Sequence, residues 1–446
     1  MLEKNGYRNH MAGKWHLGAK VPPLGLVNRT HFLSSPYHDW TLPLIDGPQS
    51  IGFHESLITT GGIQEAPYSF FRNGILTTNT TTEVRYWEEG SYDASGGESV
   101  ILREGEGDIS WDSSSYNMIV VNETTRFINE HMETTPEDPF FAYVALGSVH
   151  IPHSPPNFYL NGEPIANQYP NGHLDLLSEM DHIVGSLVTL IEEKGLADDT
   201  IIIFSSDNGG LRRDKSVDHF SSGPYRGHKG EIFEGGHRIP LIFRGENIPK
   251  GERRDHLVGL NDIYATIADI VGAKVPKLSA QDSISFKDYL YNRDVKEGLR
   301  ESLGVFDYKN GMIQADSLIK GNMKLIRYYP IYSAAPSHVE LYDLEADISE
   351  SIDISGNPKH AGLIAEMTEE LISIGPCPKD QEEFPIFMDA HDLGFNTTCR
   401  FFSKKPHRCS KFLEGELFCN SICGRHDKVC FPEKYANKGG SWRRRR

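Results

Sequence analysis

The stretch that decides the fold, residues 200–210, reads TIIIFSSDNGG. An apolar, β-branched run of this kind is typical of a strand, and it ends in Asp207, Asn208 and a glycine pair. A basic cluster set among glycines follows at residues 226–240, which read RGHKGEIFEGGHRIP. Ligands of open α/β sheets bind beyond the carboxyl ends of the strands. The stretch therefore predicts a metal ion beside an anion at the end of a buried strand.

Helices and strands alternate around this stretch. Residues 117–132 have the pattern of a helix, residues 140–146 read FFAYVAL and predict a strand covered on both faces, and residues 177–191 carry apolar side chains at helical spacing. Residues 241–243 and 262–271 continue the alternation with a strand and a helix. This order predicts an α/β fold with a largely parallel sheet.

The character of the sequence changes after about residue 300. Residues 317–328 predict a β-hairpin turning at Gly321-Asn322, residues 339–344 a further strand, and residues 360–374 a helix. We therefore predict a large α/β domain at residues 1–300, which the family resemblance described below implies to be catalytic and incomplete at its N-terminus. A small antiparallel α+β subdomain at 301–376 and a Cys-rich basic tail at 377–446 should follow it.

Composition excludes several classes of protein. The 446 residues are 38% hydrophobic and 24% charged, as in a globular protein, and no apolar run is long enough to predict a membrane span. The net charge of -17 argues against a nucleic-acid partner. From residue 400 onward, however, 13 Lys and Arg stand against four Asp and Glu. That basic end is either a solvated tip or a binding segment for acidic glycans.

The cysteines and the glycosylation acceptors indicate the secretory pathway, with an extracellular or lysosomal destination. An even number of cysteines in one segment predicts disulfides, although a zinc site is the alternative. Because no signal peptide precedes residue 1, we expect the N-terminal portion to be missing. The cysteines are Cys377, Cys399, Cys409, Cys419, Cys423 and Cys430, and the acceptors are Asn28, Asn79, Asn122 and Asn396.

Four basic side chains are candidates for binding and transforming an oxyanion. Residues 13–18 read GKWHLG, so that Lys14 and His16 project together from a tight turn, and His150 follows the predicted strand at 140–146. With Lys229 they offer cations and a proton acceptor for a tetrahedral anion. The oxygen ligands Asp207 and Asn208 suit Ca²⁺ or Mg²⁺ rather than zinc. Each motif alone also fits an ordinary loop or a structural histidine.

Taken together and in this order, the motifs resemble the sulfatases of the alkaline-phosphatase-like superfamily, of the arylsulfatase A and B type. The resemblance covers residues 1 to about 376 and is carried by five segments. It implies the fold of that superfamily, a large, mostly parallel mixed sheet between helices. The segments are residues 13–18, the HIP of residues 150–152, the SDNGG of 206–210, residues 226–240 and the ELYDL of 340–344.

The resemblance implies hydrolysis of a sulfate ester on a sulfated small molecule or glycan. In the family a formylglycine, made from Cys or Ser, attacks sulfur with the help of Ca²⁺. Carried over residue by residue, Lys14 and Lys229 bind sulfate, while Asp207 and Asn208 bind calcium. The same comparison implies that His16 accepts the proton of the hydrate and that His150 assists the leaving alcohol.

The family segment that supplies formylglycine has the form Cys-x-Pro-Ser-Arg, and we find no such segment in residues 1–446. Residues 222–226 read SGPYR, which imitates the pattern but lacks the residues that follow it in the family. We therefore expect the 446 residues to lack turnover by themselves. An inactive relative that binds sulfated glycans, and a phosphatase or phosphodiesterase of the same superfamily, stay open as alternatives, as does the oligomeric state.

Overall fold

The computed structural model of the protein describes residues 1–22, 39–40, 42–77, 84–93, 100–211, 219–276, 279–309, 312–330 and 336–374. These residues form two compact units. The first comprises Met1–Ile201 and Ile270–Pro276, and the second comprises Ile202–Asp269 and the described residues from 279 onward. All six cysteines, and the acceptors Asn28, Asn79 and Asn396, lie outside the described residues.

The first unit is built on a mixed sheet with two long helices. Within the described residues its strands are β1 (Arg8–Lys14), β2 (Glu55–Thr59), β3 (Phe71–Arg72), β4 (Ile75–Leu76), β5 (Val84–Trp87), β6 (Gly105–Asp108) and β7 (Phe140–Ala145). Its helices are α1 (Tyr116–Thr134) and α2 (Gly172–Glu193). Five of the strands form one sheet in the order β4-β3-β2-β1-β7.

Strand β1 is the centre of this sheet and pairs in parallel with both β2 and β7. Strands β3 and β4 add to the β2 side in antiparallel fashion. The five inner residues of β1 are buried, as expected of a parallel strand covered on both faces. The prediction of an α/β fold with a mixed sheet is confirmed.

Both helices of the first unit occur where the sequence predicted them. The side chain of Asn171 caps α2 by accepting from the backbone N–H of Leu174 at 3.0 Å. Gly195, just beyond the helix, has a φ of +70°, the left-handed conformation that glycine favours at a helix end. Apolar contacts join the helices, since Phe127 and Ile128 of α1 pack with Ile191 of α2. No described helix is long and apolar enough to cross a membrane.

One expectation about β7 is wrong. Its apolar sequence predicted a strand covered on both faces, but β7 is an edge strand of the described sheet and Tyr143 is 53% exposed. The other residues of β7 are half-buried. A run of apolar residues indicates that a strand favours burial, but it does not show how much of each face of the strand is covered.

His10, in the middle of β1, is fully buried and stacks on Phe127 at a centroid distance of 4.4 Å. Neither ring nitrogen has a hydrogen-bond partner among the described residues. Burial lowers the pKa of His10 to about 4, although the carboxylates of Glu123 and Glu55 act in the opposite direction. The ring is therefore neutral in the folded protein at physiological pH.

We expect His10 to make the first unit sensitive to acid. The unfolded imidazole has its ordinary pKa of 6.5 and is protonated first, so stability should fall between about pH 6.5 and pH 4. The loss should reach roughly 3 kcal/mol. His10→Phe should flatten this decline in urea unfolding followed by tryptophan fluorescence, since all four described tryptophans belong to this unit. An unchanged acid slope in the variant would contradict the assignment.

The second unit contains two further sheets and four helices within its described residues. Its strands are β8 (Ile202–Ser205), β9 (Leu241–Arg244), β10 (Ser302–Lys309), β11 (Met312–Lys320), β12 (Met323–Tyr328) and β13 (His338–Asp343). Its helices are α3 (Glu234–His237), α4 (Asp262–Ile270), α5 (Lys287–Tyr291) and α6 (Ala361–Ile374).

The direction of β8 differs from expectation. We predicted that it would continue a parallel sheet, but its partner among the described strands is β9, and the two are antiparallel. Parallel neighbours require a crossover connection, usually a long helix. In the described part of the connection from β8 to β9, the helix is the four-residue α3. Strand β8 is half-buried, and β9 alternates between half-buried and exposed residues.

The predicted antiparallel strands of the C-terminal part are confirmed, and they form a sheet in the order β10-β11-β12-β13. The hairpin between β11 and β12 turns at Gly321, as predicted, and Lys320 pairs with Met323. Helix α6 packs on this sheet through Met367 and Leu371, which contact a cluster of three buried leucines. Those leucines are Leu318, Leu325 and Leu341.

Candidate active site

Lys14 and His16 lie at the carboxyl end of the central strand β1. Two backbone hydrogen bonds extend the pairing with β2 beyond the strand, since Trp15 N–H donates to Thr59 O at 3.0 Å and His16 N–H donates to Thr60 O at 2.9 Å. His16 adopts a φ of +51°, a conformation that few non-glycine residues take. The turn predicted from the glycines around Lys14 is therefore tied to the sheet.

The close approach of β1 and β7 explains why residue 13 is a glycine. It pairs with Ala145 of β7 at a φ of +104°, and a Cβ at Gly13 would lie 1.8 Å from the Ala145 carbonyl oxygen. No side chain fits at that distance. The backbones of β1 and β7 can approach this closely because residue 13 has no Cβ.

The His16 ring has a carboxylate partner that the sequence did not indicate. His16 Nε2 lies 3.1 Å from Glu65 Oε2, and Arg103 contacts the other carboxylate oxygen. The hydrogen bond from His16 lowers the pKa of Glu65 to about 2. Glu65 is therefore ionised at physiological pH and can only accept hydrogen bonds.

His150 lies in the turn that follows β7. Its backbone N–H donates to Gly147 O at 2.8 Å, and its Nδ1 lies 2.8 Å from Ile151 O. Because β1 and β7 are parallel neighbours, their carboxyl ends meet at the same edge of the sheet. Lys14, His16 and His150 all follow these two ends, so the first unit brings these three predicted residues to one edge.

A buried polar network supports the turn before His150. The Asn117 side-chain oxygen accepts from Gly147 N–H at 2.8 Å, and its amide nitrogen donates to Glu179 Oε2 at 2.7 Å. Ser148 Oγ also donates to Glu179, at 3.0 Å. Burial raises the pKa of Glu179 to about 7 despite these bonds. The network connects α1 and α2 to the loop that carries His150.

Asp207, Asn208 and Lys229 belong to the second unit, where backbone contacts between glycines bring their segments together. Gly209 N–H donates to Gly236 O at 2.8 Å, and Lys229 N–H donates to Gly210 O at 2.7 Å. A Cβ on Gly209 would lie 1.9 Å from Gly235 O. The glycines therefore let residues 226–236 press against the end of β8 next to Asp207 and Asn208.

A buried lysine fixes the segment that follows Lys229. Lys324 Nζ of β12 is fully buried and lies 3.0 Å from Glu234 Oε1 and 2.8 Å from Glu350 Oε1. Glu350 also accepts from Glu234 N–H at 2.8 Å. Burial raises the pKa of Glu350, whereas for Glu234 the opposing effect of Lys324 prevails over burial and lowers the pKa. This cluster joins α3 to the C-terminal sheet.

The segment at residues 222–226, which imitates a formylglycine motif, has structural contacts in the second unit. Ser222 Oγ donates to Gly235 O at 3.2 Å. Arg226 donates to Tyr342 Oη at 3.1 Å and to Glu350 O at 2.8 Å, and its guanidinium stacks on Phe233 at 3.7 Å. These contacts agree with the interpretation of the motif as a coincidence.

The chemistry of two predicted ligands fits a calcium ion. Asp207 supplies a carboxylate and Asn208 an amide oxygen, and such hard oxygen donors are preferred by Ca²⁺. The Asn208 amide nitrogen donates to Gly209 O at 3.0 Å, which fixes the orientation of the amide. Among the described residues no group of three or more His, Cys, Asp or Glu forms a metal cluster. Two such side chains would supply only part of the six to eight oxygens that Ca²⁺ takes.

Comparison with known families identifies the chain. A family model described as Sulfatase matches residues 1–273, which is more than half of the sequence. The chain belongs to the sulfatase family. Members of this family are sulfuric ester hydrolases and generally use calcium and formylglycine. A second model, described as N-sulphoglucosamine sulphohydrolase, C-terminal, matches residues 228–375 of this sulfatase-family chain.

Individual relatives are about a quarter identical to this chain over the aligned residues. It is 26% identical over 423 residues to an N-acetylgalactosamine-6-O-sulfatase of Bacteroides thetaiotaomicron, with 84% of this chain and 76% of the relative covered. It is 25% identical over 280 residues to the N-acetylgalactosamine-6-sulfatase of Rattus norvegicus, with coverages of 62% and 44%. The chain thus spans less than half the length of the rat protein.

Solved structures support the same fold. One from work on glycosaminoglycan metabolism by Bacteroides thetaiotaomicron has a TM-score of 0.68 at 23% identity and covers 84% of this chain and 80% of its own. Another, in complex with D-glucosamine-2-N,6-O-disulfate, has a TM-score of 0.53 at 16% identity and covers 83% and 79%. At these identities the likeness concerns the fold alone.

Proposed function

We propose that the protein acts on a sulfate ester of a hexosamine, with the sulfate at the 6-oxygen. The observation that carries the proposal is the meeting of Lys14, His16 and His150 at one edge of the first unit's sheet, in a chain of the sulfatase family. The bacterial and rat relatives named above are both sulfatases of the 6-position of N-acetylgalactosamine. Their names supply the substrate class for this proposal.

In the proposed mechanism each basic side chain has one task. In the first unit, Lys14 neutralises sulfate oxygens, on which negative charge persists throughout the reaction. His16 accepts a proton, and His150 donates one to the departing sugar oxygen. For the second unit, the family resemblance assigns sulfate binding to Lys229 and calcium binding to Asp207 and Asn208, and the ion would supply Lewis acidity.

The nucleophile is the part of the mechanism that we do not assign to residues 1–446. We infer that these residues by themselves bind the sulfated sugar without turning it over, as the inactive, glycan-binding alternative also requires. An assay of the 446-residue chain on an aryl sulfate and on N-acetylgalactosamine 6-sulfate tests this inference. Release of sulfate by the purified chain would exclude it and would point to a nucleophile among these residues.

Binding can be tested without turnover. Lys14→Ala should weaken the binding of N-acetylgalactosamine 6-sulfate about 10-fold or more, because a charge-assisted contact with an anion contributes roughly 1.5–3 kcal/mol. Isothermal titration calorimetry measures the change. Lys194→Ala is the matched control, since it removes the same charge from an exposed position after α2 in the same unit. Equal binding of unsulfated N-acetylgalactosamine by the wild-type protein would refute the proposed specificity.

A further inference from the structure

We propose that Glu65, held by Arg103, is the positioning residue for His16 and makes Nδ1 the ring nitrogen that accepts the proton. The proposal deepens the role given above to His16 and therefore rests on the proposed function. It concerns residues of the first unit only. Glu65 follows β2 by a short loop, and nothing in its local sequence pattern marked it as part of the site.

The tautomer follows from the charge of the carboxylate. An ionised carboxylate has no proton to donate, so a hydrogen bond between His16 Nε2 and Glu65 Oε2, 3.1 Å apart, requires the proton on Nε2. In the neutral imidazole the lone pair is then on Nδ1. When Nδ1 takes up a proton, the imidazolium lies against a negative charge that is already in place. A carboxylate that orients a catalytic histidine acts in this way: it holds one ring nitrogen and stabilises the imidazolium, while the other ring nitrogen accepts the proton.

Several contacts hold Glu65 in this position. Its side chain is only 11% exposed, whereas that of His16 is 53% exposed, so the buried carboxylate orients an accessible ring. Arg103 contacts the second carboxylate oxygen, Oε1. Tyr68 Oη donates to Arg103 O at 2.5 Å and to Gln64 O at 2.9 Å, which ties the two segments together.

The glycine pair Gly61-Gly62 makes room for the carboxylate. A Cβ on Gly61 would lie 3.1 Å from Glu65 Cβ and 3.2 Å from Glu65 Oε2. Gly62 O accepts from Glu65 N–H at 3.0 Å, and a Cβ on Gly62 would lie 3.9 Å from Lys14 Cε. The pair therefore allows Glu65 to approach His16 while Lys14 passes beside the same loop.

The groups that face the pair of His16 and Glu65 are cationic or neutral. Arg103 and Lys14 are the neighbouring cations, and the Tyr68 hydroxyl is neutral at physiological pH. Glu65→Gln removes the negative charge and supplies an amide that can donate as well as accept, so it should no longer hold the proton on His16 Nε2.

The tautomer can be read directly by nitrogen NMR of the protein labelled with ¹⁵N-histidine, using His16→Gln to assign the resonances. At a pH where His16 is neutral, we expect the shift of a protonated nitrogen at Nε2 and that of an unprotonated nitrogen at Nδ1. The wild-type protein suffices for this measurement, so the proposal does not depend on the folding of a variant. A proton found on Nδ1 of the neutral ring would overturn it.

The role of Glu65 has an internal control in the same nitrogen spectrum. Glu65→Gln should raise the fraction of the Nδ1-protonated tautomer of His16 and leave the signals of His182 unchanged. Glu163→Gln should change the signals of His182 alone, because Glu163 Oε2 lies 2.6 Å from His182 Nε2. A change at both histidines in either variant, or at neither, would contradict the assignment.

The two proposals fail in different ways. If Nε2 carries the proton and its place on the ring depends on Glu65, the positioning role stands whatever the chain binds. If Lys14→Ala then leaves sulfated sugar binding unchanged, the proposed function is refuted while the pairing of His16 with Glu65 is retained. The opposite pattern, sulfate-dependent binding with Nδ1 protonated, refutes the positioning role alone.

Discussion

Replacing Lys324 by methionine is expected to lower the free energy of unfolding of the second unit by about 3–5 kcal/mol. The ammonium group is fully buried and contacts the carboxylates of Glu234 and Glu350. Methionine keeps most of the volume but removes the charge, so two carboxylates remain buried without their cation. Hydrogen exchange in residues 312–328, followed by mass spectrometry, should show the loss of protection.

Lys320→Met is the matched control for this prediction. Lys320 of β11 also contacts two carboxylates, Glu366 at 2.7 Å and Glu370 at 2.8 Å, but its side chain is 32% exposed. Exposed ion pairs contribute about 0–1 kcal/mol each, so this variant should lose little stability. Equal losses in the two variants would show that burial of Lys324 is not the cause.

The pH dependence of the Lys324→Met variant provides a second test. Without Lys324, Glu234 keeps Arg238 at 3.2 Å, whereas burial of Glu350 is favoured only once its carboxyl takes up a proton. This uptake becomes easier as the pH falls. The stability difference between wild type and variant should therefore shrink from pH 7.5 toward pH 5. A difference that stays constant over this range would mean that lost packing, rather than unpaired charge, destabilises the variant.

The fold was predictable where a local pattern determines the structure. The helical spacing of apolar residues located α1 and α2, and the turn at Gly321 located the hairpin of β11 and β12. Strand direction was not predictable in the same way. The apolar run of β8 reads identically for a parallel and an antiparallel partner. The structure decides between them, since β8 and β9 pair antiparallel and the described part of their connection has no long crossover helix.

The residues of the candidate site were also predictable only where a local sequence pattern marks them. Lys14, His16 and Lys229 were found because glycines flank them in the sequence. The structure explains Gly13 by close backbone approach, and it explains Gly18, Gly227 and Gly230 by their positive φ. Glu65 and Lys324 were missed because their partners are distant in the chain. Lys324 did carry a signal, since alternation along β12 places it on the same face as the fully buried Ile326.

Gly13→Ala is expected to destabilise the first unit by about 3–5 kcal/mol. Alanine at a φ of +104° is strained, and its Cβ would lie 1.8 Å from the carbonyl oxygen of Ala145. The clash involves backbone on both sides, so no side-chain movement relieves it, and β1 and β7 must separate at the ends that carry Lys14 and His150. Urea unfolding followed by tryptophan fluorescence measures the loss.

Gly18→Ala separates the two causes. Gly18 closes the same segment at a similar φ of +94°, but a Cβ there meets no heavy atom within 4 Å. This variant should therefore show only the conformational strain, about 1–2 kcal/mol, and keep its affinity for N-acetylgalactosamine 6-sulfate. If the two glycine variants lose equal stability, the close contact of β1 with β7 is not what requires glycine at position 13. A larger loss at position 13 means that the absence of a side chain at Gly13 sets the spacing of β1 and β7. The meeting of Lys14, His16 and His150 depends on that spacing.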